Sequence, residues 1–153
     1  MRVDSGEPML FNNRSMKPHS IVKIDRVKIL DRGGGITTLP LITPASAENP
    51  VFSTGISSYP KGKGAPMHSH NCPEQVTLLE GKGEVEIDGV VTPLSKYDST
   101  YIPGNILHAF RNTGDEPMKI LWIYGSNRVT RTFAATGETV EHLSAADLMS
   151  VSK

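Results

Sequence analysis

The sequence predicts an all-β fold, a sandwich or barrel of short strands. About eight to ten runs of alternating or β-branched and aromatic residues recur at regular spacing. Fourteen glycines and eleven prolines in 153 residues supply the turns between them. No long stretch with helical apolar periodicity competes with the strand pattern. Short strands in such number call for a closed arrangement, which leaves few exposed sheet edges. A chain of 153 residues is the size of one domain with a sizeable core.

Residues 1–20 are polar and rich in turn formers (Pro8, Asn12, Asn13, Pro18) and read as an N-terminal arm. Residues 21–153 form the barrel domain. IVKIDRVKIL (21–30) reads as a strand that the glycines 33–35 end. Residues 36–50, broken by Pro40, Pro44 and Pro50, read as a loop or irregular strand. VFSTGISSYP (51–60) is strand-like, with Gly55 as a bulge position. QVTLL (75–79) is the next strand, and Gly81–Gly83 turns the chain. EVEIDGVVTPL (84–94) alternates, and its Asp88-Gly89 pair is the strongest hairpin signal in the chain. STYI (99–102) and LHAFRN (107–112) flank a Pro103-Gly104 turn. MKILWIY (118–124) is apolar on both faces, so one face fits the core and the other a subunit interface. Residues 129–133 give the last strand. Ser144 followed three residues later by Asp147 marks the start of a short C-terminal helix.

Sixteen basic and sixteen acidic residues balance, with a pI near 7.0. The chain therefore lacks the basic excess used to bind nucleic acid or anionic membranes. No apolar run approaches the roughly 20 residues of a membrane span. The first thirty residues hold no secretory hydrophobic core, so a cytoplasmic location is expected. Cys72 is the lone cysteine and forms no internal disulfide framework.

The chemistry concentrates between Gly62 and Gly81. His68 and His70, two residues apart, share a face in extended backbone. Glu74 follows past a short NCP turn. Imidazoles with a carboxylate suit borderline divalent metals: Fe, Mn, Ni, Cu or Zn. Three ligands leave the shell incomplete. His108, in an extended segment about two hairpins further on, is the residue able to return as a fourth.

These positions resemble the cupin family. Gly62, His68, His70, Glu74 and Gly81 match its first motif, G(X)5HXH(X)3–4E(X)6G, at every position. Pro103, His108 and Asn112 match its second, G(X)5PXG(X)2H(X)3N. Tyr97 stands at that motif's first glycine and Asn105 at its second; both positions shape turns and neither binds metal. The resemblance spans roughly residues 51–125, with both motifs inside 62–112. It implies a double-stranded β-helix, or jelly-roll, barrel with a short C-terminal helix. It also implies one divalent metal ion per chain, held by His68, His70, Glu74 and His108. Four protein ligands leave one or two coordination positions open, as catalysis by Lewis acidity or oxygen activation requires.

Met67, Val76, Leu78, Phe110 and Trp122 are expected to line the pocket, with Tyr59, Tyr101 and Tyr124 as candidate acid/base hydroxyls. Arg128 and Arg131 read as an exposed strand face, and His142 as exposed. With few charges beyond the ligands, the pocket calls for a largely apolar or aromatic small molecule. The expected activity is that of a metal-dependent enzyme, first a dioxygenase-type oxidoreductase. The alternatives are a non-redox lyase, isomerase or cyclase, or a stand-alone sensor. A homodimer is expected from the doubly apolar strand 118–124 and the N-terminal arm.

Overall fold

The alternating runs resolve into two six-stranded antiparallel sheets. The structure is a computed structural model and describes residues 19–150, with side chains to Leu148. Most of the expected N-terminal arm, residues 1–18, lies outside the described residues. One sheet holds, in order, β1 (Leu30–Asp31), β2 (Thr37–Pro40), β3 (Ser53–Tyr59), β10 (Met118–Tyr124), β5 (Glu74–Glu80) and β8 (Ser99–Ile102). The other holds β12 (Thr139–Glu141), β11 (Thr130–Phe133), β4 (His68–His70), β9 (His108–Asn112), β6 (Gly83–Ile87) and β7 (Val90–Leu94). Strands distant in sequence lie side by side, as in a jelly roll. A short helix α1 (Ala145–Ser150) follows β12, and Ser144 Oγ accepts a bond from the Asp147 amide at 3.3 Å.

The alternation sets the core. Val76 and Leu78 of β5 and Met118, Ile120 and Trp122 of β10 face Val85 of β6 and Phe110 of β9. Each is at most 3% exposed. The Asp88-Gly89 turn has both residues in the left-handed region (φ 49° and 82°), which matches a two-residue hairpin between β6 and β7.

Two expectations need correction. Residues 21–30 do not form a strand: a single 3-10 turn, Ile24–Arg26, precedes the two-residue β1, and Ile21, Ile24 and Ile29 are exposed. Their apolar positions keep no single parity, so no sheet face could bury them together. Gly55 is not a bulge; β3 pairs with β10 in unbroken register through Gly55 and Trp122. Its role is steric. The Trp122 indole lies across Gly55 where a Cβ would stand, and donates from Nε1 to Ser57 Oγ at 3.0 Å. Gly55→Ala is expected to destabilise the fold by about 1–3 kcal/mol through overpacking. An unchanged urea midpoint would contradict that.

Candidate metal centre

The two sheets deliver the four candidate ligands to one point. His68 and His70 alternate along β4, and the intervening Ser69 faces outward. His108 opens β9 and pairs in register with His68. Glu74 opens β5 in the opposite sheet, between Ile102 of β8 and Tyr124 of β10. The Asn105 amide donates to His70 O at 2.7 Å, which pins the turn ahead of β9 against β4. All four side chains are buried, and one ligand atom from each lies within 4.8 Å of all the others.

Motif positions away from the ligands shape the backbone. Gly62 and Gly81 have φ of 73° and 84°. Tyr97 (φ 72°) and Asn105 (φ 64°), which replace family glycines, keep the same left-handed backbone. Asparagine adopts it readily and tyrosine with strain. Asn112 closes the next turn: its Nδ2 donates to Tyr59 O and Glu116 O, each at 2.9 Å, and its Oδ1 accepts from the Gly114 amide.

Hydrogen bonding fixes which ring nitrogens converge. The Nδ1 atoms of His68, His70 and His108 donate to the carbonyls of Pro66 (2.6 Å), Thr130 (2.9 Å) and Ile106 (2.8 Å). A carbonyl only accepts, so each Nδ1 carries its proton and each Nε2 points inward. The Nε2 atoms of His68 and His70 lie 3.0 Å apart. His108 Nε2 lies 2.8 Å from Glu74 Oε2, and His70 Nε2 lies 3.6 Å from it. Burial, reinforced by Arg131, holds His68 well below the ordinary imidazole range. Burial brings His70 down to about 4 against the pull of Glu74. Burial alone would raise the Glu74 carboxyl, but His108 and His70 hold it below its usual value. Lone pairs and a carboxylate oxygen thus face one another without an intervening donor between His68 and His70. A cation at their centre satisfies all of them, so the donor set fits a borderline divalent metal. The carbonyl bonds at Nδ1 provide the orientation that metal-bound histidines generally have.

His68 and Glu74 of the cluster border a narrow cavity of about 20 Å³ that also touches Tyr59, Phe110, Trp122, Tyr124 and His142. Phe110, Trp122, Tyr59 and Tyr124, all named from the sequence, border this cavity. Burial raises the Tyr59 hydroxyl above its ordinary value despite Arg32 and Arg131, and burial with the Glu74 charge holds Tyr124 well above. Val76 and Leu78 are core residues, Met67 is half-buried, and none of these three borders the cavity. Tyr101 points outward from β8 and is 70% exposed, away from the site. The Cys72 thiol, which burial pushes up to about 11, is not among the converging groups.

Three cavity residues were misread or missed in the sequence. Arg131, expected on an exposed face, is 4% exposed and points inward, since it is the register partner of His70. Parity carried that signal: Val129 and Phe133, its neighbours at two residues' distance, are both buried. Arg32 borders the cavity from the turn after β1. His142, expected exposed, packs its ring 5.0 Å from Trp122 and 4.8 Å from Tyr124. Burial, with Arg131 beside it, keeps His142 well below the usual imidazole range and therefore neutral.

Comparison with known proteins agrees with this geometry. A family model described as a cupin domain matches residues 55–124, which include all four ligands. The chain is 33% identical over 92 residues to the polyketide synthase CurC of Streptomyces cyaneus, covering 60% of this chain and 58% of CurC. Thus the match spans little more than half the length of CurC. It is 32% identical over 95 residues to protein SchB of Streptomyces halstedii, covering 61% of this chain and 67% of SchB. Among solved structures, a cupin 2 domain-containing protein from Halorhodospira halophila superposes with a TM-score of 0.57 at 26% identity. That superposition covers 72% of this chain and 71% of the other. With both motifs, the jelly roll and these relatives in agreement, the chain belongs to the cupin family.

Proposed function

We propose that this chain is a metal-dependent enzyme that rearranges a small planar organic molecule by proton transfer, as a cyclase, isomerase or lyase does. The observation that carries this reading is the placement of Tyr59, Tyr124 and His142 in one narrow cavity with His68 and Glu74 of the four-residue cluster. His68, His70, Glu74 and His108 would hold the ion. When bound, a divalent ion supplies Lewis acidity to a substrate oxygen. Trp122 and Phe110 give the cavity flat apolar walls beside the cluster. Tyr59 and Tyr124 retain their protons and can donate one at Oη. Neutral His142 can accept one at a ring nitrogen. The similarity to CurC, a protein named a polyketide synthase, favours an oxygen-rich, enolisable substrate.

A dioxygenase is the second reading, favoured by a donor set that suits Fe(II) as well as Zn or Ni. Oxygen uptake separates the two. Metal-loaded protein is incubated with aryl β-diketones and phenolic acids in an oxygen-electrode cell. Conversion without oxygen consumption is expected; consumption in step with conversion would replace this reading with the second.

We also propose a homodimer. Leu39, Ile56 and Leu121 lie in one register row on the outer face of β2, β3 and β10, with Ile123 beside them. All four are only half-buried in the single chain. Light scattering at micromolar concentration should return twice the mass of one chain, and the mass of one chain would count against the dimer.

A further inference from the structure

Four side chains that carry a full charge at neutral pH are buried among the described residues: Arg32, Arg131, Glu74 and Asp147. Asp147 of α1 lies between the two arginines. Arg32 Nη2 donates to Asp147 Oδ2 at 2.9 Å, and Arg131 Nη1 lies 3.1 Å from Oδ1. One carboxylate thus faces two guanidiniums, which leaves this group with one surplus positive charge. Glu74 is engaged at the imidazole cluster, 2.8 Å from His108. Once the cluster holds a divalent cation, Glu74 faces that ion and the surplus arginine charge has no counter-charge among the buried side chains of the described residues.

Hydrogen bonding points the same way. The Nε–H groups of both arginines are buried and donate to no acceptor among the described residues. Buried donors of this kind are normally satisfied. A clamp that only fastened α1 to the barrel would need one arginine, whose charge Asp147 matches. The second arginine is unexplained by that role. Both border the cavity, and Arg131 enters it directly across the β4–β11 pair from His70. Guanidinium is the side chain best matched to planar oxyanions.

We infer that the cavity, with room for little more than one polar group, takes the anionic end, a carboxylate or enolate, of a small organic molecule, and that Arg131 determines this specificity with Arg32 behind it. The inference rests on the reading of the cavity as the substrate site and names the substrate's charge. It replaces the largely apolar ligand expected from the sequence, because the arginine on β11 faces inward.

Trp122 is the single tryptophan of the chain and borders the cavity, so its fluorescence reports occupancy without any turnover. Zinc-loaded and chelator-treated protein are titrated with two matched pairs, acetate against acetamide and benzoate against benzamide. In wild type at least one carboxylate should bind at least about tenfold tighter than its amide. Arg131→Met leaves Arg32 matched by Asp147 and so removes the surplus charge. In that variant the preference should fall to within about twofold, and Arg131→Lys, which keeps the charge, should fall between. No preference in wild type, absence of binding by both pairs included, overturns the inference. So does a preference that survives Arg131→Met. If zinc does not bind yet the Arg131-dependent preference persists, the anion site stands and the metal reading fails. If zinc binds and the preference is absent, the reverse holds.

Discussion

Asp147→Ala is expected to lower the unfolding free energy by about 3–5 kcal/mol, the cost of breaking a buried ion pair from one side. Asp147 is 0% exposed and bonded on several sides. It accepts from Arg32 Nη2 at 2.9 Å and from the Leu143 amide at 2.8 Å, and lies 3.1 Å from Arg131 Nη1. Arg32 follows β1 at one edge of the first sheet, while Arg131 is on β11 near the edge of the second. The carboxylate therefore links residues of the two sheets, and alanine would leave two guanidiniums buried without it. Typical domains are stable by only 5–15 kcal/mol, so a loss of this size should be plain in a urea titration at neutral pH. A change under about 1 kcal/mol, the size expected of an exposed pair, would show that the group is effectively solvated.

His108→Ala should remove stoichiometric metal. His108 is the one ligand on β9, and it reaches the cluster through the register pairing of β4 with β9. Loss of its Nε2 leaves two imidazoles on one strand and a carboxylate from the other sheet. Loss of a group that merely orients a ligand typically weakens metal binding by about 10–100-fold, so loss of a ligand itself should exceed that. Two readouts check it: metal content per chain after gel filtration, and the rise in melting temperature on adding zinc. In the variant the content should be close to zero and the rise should vanish. Wild-type metal content in His108→Ala would sink the four-ligand centre.

How far the molecule was legible depends on how local each signal is. The Asp88-Gly89 hairpin, the β5 and β10 alternation and the ligand pair His68/His70 are set by neighbours along the chain. Each of them stands where the spacing placed it. The segment 21–30 misled because its isoleucines and valines look like strand formers, yet they share no parity and meet no partner strand. Arg131 misled because its charge was weighed above its parity with Val129 and Phe133. A buried arginine becomes intelligible only with Asp147, sixteen residues on in α1, in place. His142 was invisible for a related reason: its burial is created by Trp122 and Tyr124 of β10, which β12 reaches only after the last strands close the barrel. The four-residue His/Glu cluster was legible from motif spacing, whereas the charged wall of the cavity was built by contacts between distant segments.

The most direct test of the metal centre is elemental analysis of the wild-type protein, purified without chelators and without a metal-affinity column. The donor set of three inward Nε2 atoms and one carboxylate predicts close to one divalent transition-metal ion per chain. Protein that is folded, free of metal, and unable to take up Fe, Mn, Ni, Cu or Zn when they are supplied would contradict it.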